Sequence, residues 1–476
     1  MKIFDITGTE SITDSIEILK SNAKQPDINK YKDQYGIEGH GVLDSKVRPD
    51  KYVKVDSADV EENEGSGSTR IEKVGRVPLA LQKKIVSTAV AFAFGNPVNL
   101  HAQPTTNNQK SILTGIENIL DDNKIDSFNR RMCREVLRST QFAEVWYTIP
   151  TDENHKEYGF ESKFKLRVAP IAPWDGNELY PIFDSTKNLI AFGRYYKFKE
   201  IKSKLETEFF EAYTDEETVV WKREGSGEWF VHKESLPNPI KKIPVVFAQS
   251  ESVDWEDVQY SIERLEWLLS NFADTNDYHA APKIFVQGSL LGFAKKGESG
   301  AIIEGEKGST AEYLSWNHAP ESVKLEIDSH LKFIYSLTQT PDISFESVKS
   351  LNQISGIALE MLFTDAHLKV QEKREIFDEY LQRRINLIKS FIGQMNVSLK
   401  PEINNFRVKP VITPFTIQDK KELIDNLMTA NGGLPIISQK SSIYQSGLSD
   451  DPEQEYKDVL EDSKKNMLES IFPPAN

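Results

Sequence analysis

Residues 351–395 read LNQISGIALEMLFTDAHLKVQEKREIFDEYLQRRINLIKSFIGQM, without a proline between Pro341 and Pro401. Apolar side chains recur three or four positions apart, which predicts one continuous helix. At 1.5 Å per residue it would be roughly 65 Å long, more than the diameter of a small domain. That length favours a helix that runs along a larger assembly, although an ordinary long helix in a large domain is the alternative. The pair Ser355 and Gly356 marks a hinge or a close backbone contact, because glycine costs about 1 kcal/mol inside a helix.

Composition limits the class of protein. The chain has 476 residues and a net charge of -15, with 38% hydrophobic and 28% charged residues. Its length predicts two to four domains and a large core. The acidity argues against broad wrapping of nucleic acid, because such wrapping needs clustered Lys and Arg. The single cysteine excludes an intramolecular disulfide. Acidic residues among the first twenty exclude a signal peptide, and no apolar run is long enough for a membrane span.

The first hundred residues alternate helices with polar segments. The pattern predicts a short amphipathic helix at 11–23, an extended arm or loop at 25–50 and an acidic, Gly-Ser-rich linker at 58–69. We therefore expect residues 1–70 to form a mobile arm. A strong apolar helix at 79–94 follows and ends at a Gly-Asn-Pro turn.

The next region changes from helix to sheet. Helices are predicted at 111–120 and 125–140, with Ser127 as a candidate cap of the second, and a strand at 142–149. Short apolar runs between turn residues then predict β-hairpins. The expected strands lie at 164–171, 189–198, 208–213, 217–222, 229–233 and 243–247.

The order of the following elements is helix, small β module, helix, short loop and long helix. The helices are predicted at 254–279 and 321–337, and the β module lies between them with strands at 284–287 and 311–316. This module has too few residues for its own core, so a ring or filament that supplies neighbours is attractive. After Pro401 we expect a strand at 405–410 and helices at 416–430, 436–445 and 451–468. The fold class is α+β.

No catalytic or cofactor motif is readable. Residues 300–307 resemble a phosphate loop, but Glu306 stands where that loop needs lysine, so a hairpin turn is expected there. The eight histidines show no zinc spacing. Cys133 lies near arginines that would lower its pKa, but a structural thiol is the simpler interpretation. The acidic C-terminal helix is a solvated face rather than a metal site. We therefore predict no enzyme activity, no cofactor and no metal.

Several motifs together resemble the portal proteins of tailed bacteriophages, of the long-tailed siphophage type. They are the helix that ends in Phe94-Gly95-Asn96-Pro97, the strand at 243–246 before the helix from residue 254, the Ser-Gly-x-Ala-Leu start at 355–359 and the segment GGLPIIS at 432–438. Each motif alone is weak. Their order over about 79–469, together with the helix–β–helix–loop–helix plan, carries the resemblance, whereas the N-terminal arm and Pro435 match nothing in the family pattern.

The resemblance implies the anatomy of a portal subunit. Residues 1–250 would form the N-terminal part of the wing, 251–282 a stem helix, 283–318 the clip and 319–341 the second stem helix. Residues 342–352 would form the tunnel loop, 353–400 the long wing helix and 401–476 the crown.

The resemblance also implies function, location and partners. The chain would form a homo-oligomeric ring, expected to be a dodecamer, at a unique capsid vertex of the virion, after assembly in the host cytoplasm. Double-stranded DNA would be packaged and ejected through its channel. The terminase large subunit and a head-completion or adaptor protein would dock on it, and the major capsid and scaffold proteins would surround it. No membrane is involved.

Two groups of candidate site residues follow from this anatomy. The clip residues expected to dock the terminase are Phe285, Lys295, Lys296, Glu304, Tyr313 and Trp316. The tunnel-loop residues expected to line the DNA channel are Ser347, Lys349, Ser350 and Asn352. We hypothesise that Lys349 and Asn352 approach the phosphates, the alternative being a solvated loop lysine. DNA packaging that is unchanged by Lys349→Glu would contradict this contact.

Two other functions compete with the portal interpretation. A structural adaptor or scaffold without a DNA channel would also explain the helices and the missing catalytic residues, and it would not need a closed ring. A nucleic-acid enzyme would need clustered carboxylates on strands beside a basic groove, and the sequence shows neither pattern.

Overall fold

The structure is a computed structural model with two compact units, formed by residues 1–340 with 366–414 and by 341–365 with 415–476. It describes residues 1–54, 69–199, 206–280, 283–287, 290–292, 304–305, 308, 310–314, 319–342, 361, 363–416, 420–432, 435–449 and 451–471.

Helices lie in both units. Those of the first are α1 (Ile3–Thr7), α2 (Ile12–Ser21), α3 (Ile28–Tyr35), α4 (Leu81–Phe94), α5 (Asn107–Asp122), α6 (Ile125–Ser139), α7 (Gln259–Ala280), α8 (Ala319–Leu337), α9 (Thr364–Met395, whose first two residues belong to the second unit) and α10 (Lys400–Ile403). The second unit contains α11 (Lys420–Asn431), α12 (Gln439–Ser446) and α13 (Pro452–Ile471). Among the described residues, no helix is both long and apolar enough to span a membrane.

All described strand pairs are antiparallel. The strands are β1 (Lys51–Lys54), β2 (Thr69–Glu72), β3 (Asn99–Ala102), β4 (Gln141–His155), β5 (Ser162–Ile171), β6 (Glu178–Phe183), β7 (Leu189–Phe198), β8 (Thr207–Tyr213), β9 (Glu217–Glu224), β10 (Phe230–Pro237), β11 (Val245–Gln249), β12 (Lys283–Gln287), β13 (Leu290–Gly292), β14 (Glu304–Gly305), β15 (Thr310–Leu314) and β16 (Val408–Val411). They form a five-stranded sheet of order β10-β9-β8-β7-β6, a three-stranded sheet of order β11-β4-β5, and the pairs β1-β2, β12-β15, β13-β14 and β16-β3.

The five-stranded sheet packs against the N-terminal helices. Ile16 and Leu19 of α2 are at most 2% exposed and share a core with Phe210 and Trp221 of the sheet. The sheet requires glycine at position 193, because a Cβ atom there would lie 2.9 Å from the Phe210 ring. A second apolar cluster joins this sheet to the three-stranded sheet.

The predicted mobile arm at 1–70 is wrong for residues 1–54. The stretch 25–50 contains α3 and two short 3-10 helices, and its side chains His40 and Arg48 are buried. The polar residues of this stretch suggested a solvated loop. Their buried partners lie far away in the sequence, so the sequence alone does not reveal them. Residues 55–68, which include most of the predicted linker, lie outside the described residues.

The long helix is shorter than predicted. Helix α9 begins at Thr364, and Phe363 lies in a turn, so the predicted continuous helix from residue 351 is wrong at that point. Residues 351–360, with the proposed hinge at Ser355 and Gly356, lie outside the described residues. The 32 residues of α9 still span roughly 48 Å at 1.5 Å per residue.

Most other predicted elements are confirmed within a few residues, including the α+β class and the strand at Leu189–Phe198. Ser127 is not the N-cap of α6, because it lies inside the helix. The N-cap position is occupied by Lys124, whose φ of 52° places it in the left-handed region. Strands β1, β2, β3, β6, β13 and β14 were not predicted. Strand β6 contains Pro181, which weakened its strand pattern.

Candidate functional site

The residues expected in the tunnel loop and at the hinge, together with part of the clip, lie outside the described residues. They are Ser347, Lys349, Ser350, Asn352, Ser355, Gly356, Lys295, Lys296 and Trp316. Their proposed roles stay predictions.

The described part of the predicted clip is a β ribbon. Strands β12 and β15 pair in antiparallel register, with Ile284 opposite Tyr313. Glu304 lies in β14, which pairs with β13. The Phe285 side chain is 54% exposed.

Helices α7 and α8 flank this ribbon and pack against each other. Ile262 and Leu265 of α7 and Ile334 of α8 are fully buried. The exposed sides carry an ion pair in which Arg264 Nη2 lies 2.7 Å from Glu326 Oε1. The two helices contain seven Asp or Glu residues and three Lys or Arg residues. Without the buried Glu266 and with Asp274 paired to Arg48, five carboxylates remain against three cations, a small acidic excess.

A stripe of exposed apolar side chains runs along α8. Leu325, Phe333 and Leu337 are 69%, 58% and 65% exposed, and at 100° per residue they fall within a sector of about 120°. Tyr260 of α7 is 87% exposed. Water contact with so many large apolar groups is unfavourable, which is typical of a surface that a partner covers.

Buried polar contacts fix α7 to the N-terminal segment. His40 Nδ1 lies 2.5 Å from Glu266 Oε1, while His40 Nε2 lies 2.8 Å from the Gln34 carbonyl oxygen. A doubly protonated ring would donate to both oxygens. Burial would lower the pKa of His40, but the hydrogen bond and the charge of Glu266 outweigh burial and raise it. Arg48 of the N-terminal segment makes similar contacts further along α7. It donates to Asn271 and Asp274, each at 2.8 Å.

A second buried joint connects three segments at the end of the α7–α8 pair where α7 begins and α8 ends. Lys369 of α9 lies with its Nζ 2.5 Å from Asp254 Oδ2, in the segment that leads to α7. The same Nζ donates to the Thr338 carbonyl oxygen, directly after α8, at 2.7 Å. Lys369 and Asp254 are at most 7% exposed. This lysine therefore holds the end of α8 and the approach to α7 against the long helix.

A third buried network fixes the middle of α9 to β4. Arg384 donates through Nε and Nη2 to the Glu144 carboxylate at 2.8 and 2.7 Å, and through Nη1 to Asn129 Oδ1 at 2.5 Å. Tyr380 and Trp146 also donate to Glu144, at 2.6 and 2.9 Å. Burial would lower the pKa of Arg384, yet the Glu144 charge outweighs it and raises that pKa. The guanidinium stays charged inside the core.

Catalytic chemistry has no support among the described residues. Cys133 is fully buried, and burial raises its pKa, so the proposed lowering by neighbouring arginines is wrong. No group of three or more metal-ligating side chains occurs in the described ranges. In the acidic C-terminal helix, Glu453 is paired with Lys440 at 2.8 Å. Of the loop at 300–307, only residues 304–305 are described, and they form a strand.

Comparison with known proteins identifies the family. The model of the family described as phage portal protein, SPP1 Gp6-like, matches residues 23–467. No curated protein sequence matches the chain. Among solved structures, a chain from the neck of the native GTA particle, computed with C12 symmetry, is 11% identical with a TM-score of 0.42; the match covers 91% of this chain and 98% of that one. A chain from the neck of the empty GTA particle, computed with C6 symmetry, is 10% identical with a TM-score of 0.41 and coverages of 77% and 89%. On the match over residues 23–467, the chain belongs to the SPP1 Gp6-like family of phage portal proteins.

Proposed function

We propose that the chain assembles into a closed homo-oligomeric ring, expected to be a dodecamer, that forms the DNA channel at a capsid vertex. The family match over residues 23–467 carries this proposal. It also makes a non-channel adaptor the less favoured alternative. Ring assembly would begin in the host cytoplasm and end in the virion.

In the proposed ring, α7 and α8 form the stem. The exposed stripe of Leu325, Phe333 and Leu337 supports this role, because a neighbouring subunit would remove it from water. Full burial of a leucine or phenylalanine side chain contributes about 1.5–3 kcal/mol. The excess of carboxylates on the same helices suits a lumen, since negative charge repels DNA phosphates and keeps the duplex from adhering.

The remaining anatomy follows the family assignment as a proposal. The β ribbon around Phe285 would be the clip, on which the terminase large subunit and later a head-completion protein dock. Residues 342–352 would form the tunnel loop, with Lys349 and Asn352 nearest the DNA. The wing, with α9 as its long helix, would face the capsid and scaffold proteins, and residues 401–476 would form the crown.

Ring formation is tested by native mass measurement together with negative-stain imaging. We expect the wild-type protein to form rings with a central hole and, for a dodecamer, a mass of about 650 kDa from a subunit of 54.2 kDa. The double variant Leu325→Asp, Phe333→Asp should remain monomeric, because it places two charges in the proposed subunit interface.

The matched control is Leu236→Asp. Leu236 is 59% exposed, similar to the two α8 residues, but it lies on the edge strand β10. It should assemble like the wild type. Wild-type protein that stays monomeric at every concentration would favour the adaptor. Rings formed equally well by the double variant would contradict the α8 interface.

A further inference from the structure

A pocket of about 440 Å³ lies beside the five-stranded sheet, between the β6–β7 turn, the segment before β11 and helix α9. Its lining is divided by chemistry. Ile190, Ile243 and Leu387 supply an apolar floor, half-buried or buried in each case. Lys241 and Lys242 are exposed at the rim. No feature of the proposed portal anatomy accounts for this pocket.

The rim carries positive charge that the protein does not neutralise. In the described part of the chain, neither Lys241 nor Lys242 forms an ion pair. Asp215, the one carboxylate among the described lining residues, is paired with the Met1 ammonium at 2.7 Å, and Glu216 pairs with the same ammonium at 2.8 Å. Burial lowers the pKa of the adjacent Lys389, and the positive charge of Lys242 lowers it further. The unpaired positive charge at this rim therefore comes from Lys241 and Lys242, in a chain with a net charge of -15.

Arg383 also lies on the rim but, unlike the two lysines, it forms an ion pair. Its guanidinium pairs with Glu379 one turn earlier on α9. Glu379 is 64% exposed, so water weakens that pair. The guanidinium remains available to a second acceptor, since it has five N–H donors.

Hydrogen bonds from Asn238 order the turn that presents the two lysines. Asn238, only 9% exposed, donates through Nδ2 to the carbonyl oxygens of Thr214 (3.1 Å) and Lys242. Lys241 follows with φ = 50°, in the left-handed region where a non-glycine residue costs roughly 1 kcal/mol. Glycine would avoid this cost.

We propose that this pocket binds an acidic segment of a partner polypeptide, with carboxylates at Lys241 and Lys242 and an apolar side chain on the floor. Charge complementarity favours an acidic ligand. The apolar floor favours a polypeptide over DNA, because the phosphate backbone has no aliphatic side chain to fill it. The proposal goes beyond the channel function and does not depend on ring formation.

The test uses the full-length protein and fluorescence anisotropy with three labelled probes. These are a decapeptide of alternating aspartate and leucine, a decapeptide of alternating aspartate and serine with the same charge, and a short DNA duplex. We expect the aspartate–leucine peptide to bind several-fold more tightly than the serine peptide, because its leucine side chains are buried on the apolar floor. Lys241→Glu, Lys242→Glu should weaken its binding by about tenfold or more.

The matched control is Lys156→Glu, Lys163→Glu on the β4–β5 hairpin, which changes the net charge equally with two exposed lysines that do not line the pocket. It should leave peptide affinity within about twofold, the change expected from surface charge alone. Circular dichroism would confirm that both variants fold. The proposal is overturned by equal binding of the two peptides, by equal losses in both variants, by tighter lysine-dependent binding of the duplex, or by no peptide binding.

Discussion

Replacing Arg384 by methionine is expected to lower the free energy of unfolding by about 3–5 kcal/mol. Arg384 is 1% exposed and Glu144 is fully buried. The change leaves the Glu144 carboxylate inside the core with the Tyr380 and Trp146 donors but without a positive charge. Urea denaturation followed by circular dichroism, at equal protein concentrations, measures the loss.

Two further variants separate the buried charge from general damage to α9. Arg374→Met removes an arginine that pairs with Asp378 on the surface of the same helix, and it should cost less than about 1 kcal/mol. Adding Glu144→Gln to Arg384→Met should restore part of the loss, because the uncompensated charge is gone. An Arg384→Met protein within 1 kcal/mol of the wild type would show that the pair is not needed.

Replacing Lys369 by methionine is expected to cost about 3 kcal/mol, at the lower end for a broken buried pair. Asp254 would lose its partner at 2.5 Å but would keep Lys373 Nζ at 3.7 Å from its Oδ1, which compensates in part. The Thr338 carbonyl oxygen would lose its 2.7 Å donor. Hydrogen exchange should therefore become faster at the C-terminal end of α8, besides the loss in urea denaturation.

Lys373→Met is the matched control for this joint. Lys373 lies one turn further along α9, is 21% exposed and contacts the same carboxylate at 3.7 Å. Its replacement should cost clearly less than that of Lys369 and leave exchange near Thr338 unchanged. If the two variants cost the same, or if Lys369→Met leaves exchange at the end of α8 unaltered, Lys369 does not anchor that end.

Local patterns sufficed for most of the secondary structure. Alternation between turn residues located β7 correctly, and helical spacing located α4 and α8 within a few residues. The stretch around His40 and Arg48 failed because its order depends on contacts with α7 more than 200 residues away in sequence. Residue patterns report local preferences, and they do not report partners at such separations.

The buried charges on α9 were partly readable. Arg384 lies four residues after Tyr380 and four before Ile388, within the apolar stripe of the helix, so its position indicated burial. Its partner Glu144 gave no comparable signal, because β4 is buried on both faces near that residue. Lys369 lies among charged residues in the sequence, yet it is only 5% exposed, and its partner Asp254 is more than 100 residues away.

The three buried cations of α9 also determine how this helix can move. Lys369, Arg384 and Lys389 span roughly 30 Å of its length. They are held by Asp254, by Glu144 and by the Phe406 carbonyl oxygen, on three different segments. Sliding of α9 along its axis by one turn, about 5.4 Å, would break all three attachments at once. Axial force applied to one end of this region should therefore displace α9 and its three attached segments together, as one rigid body.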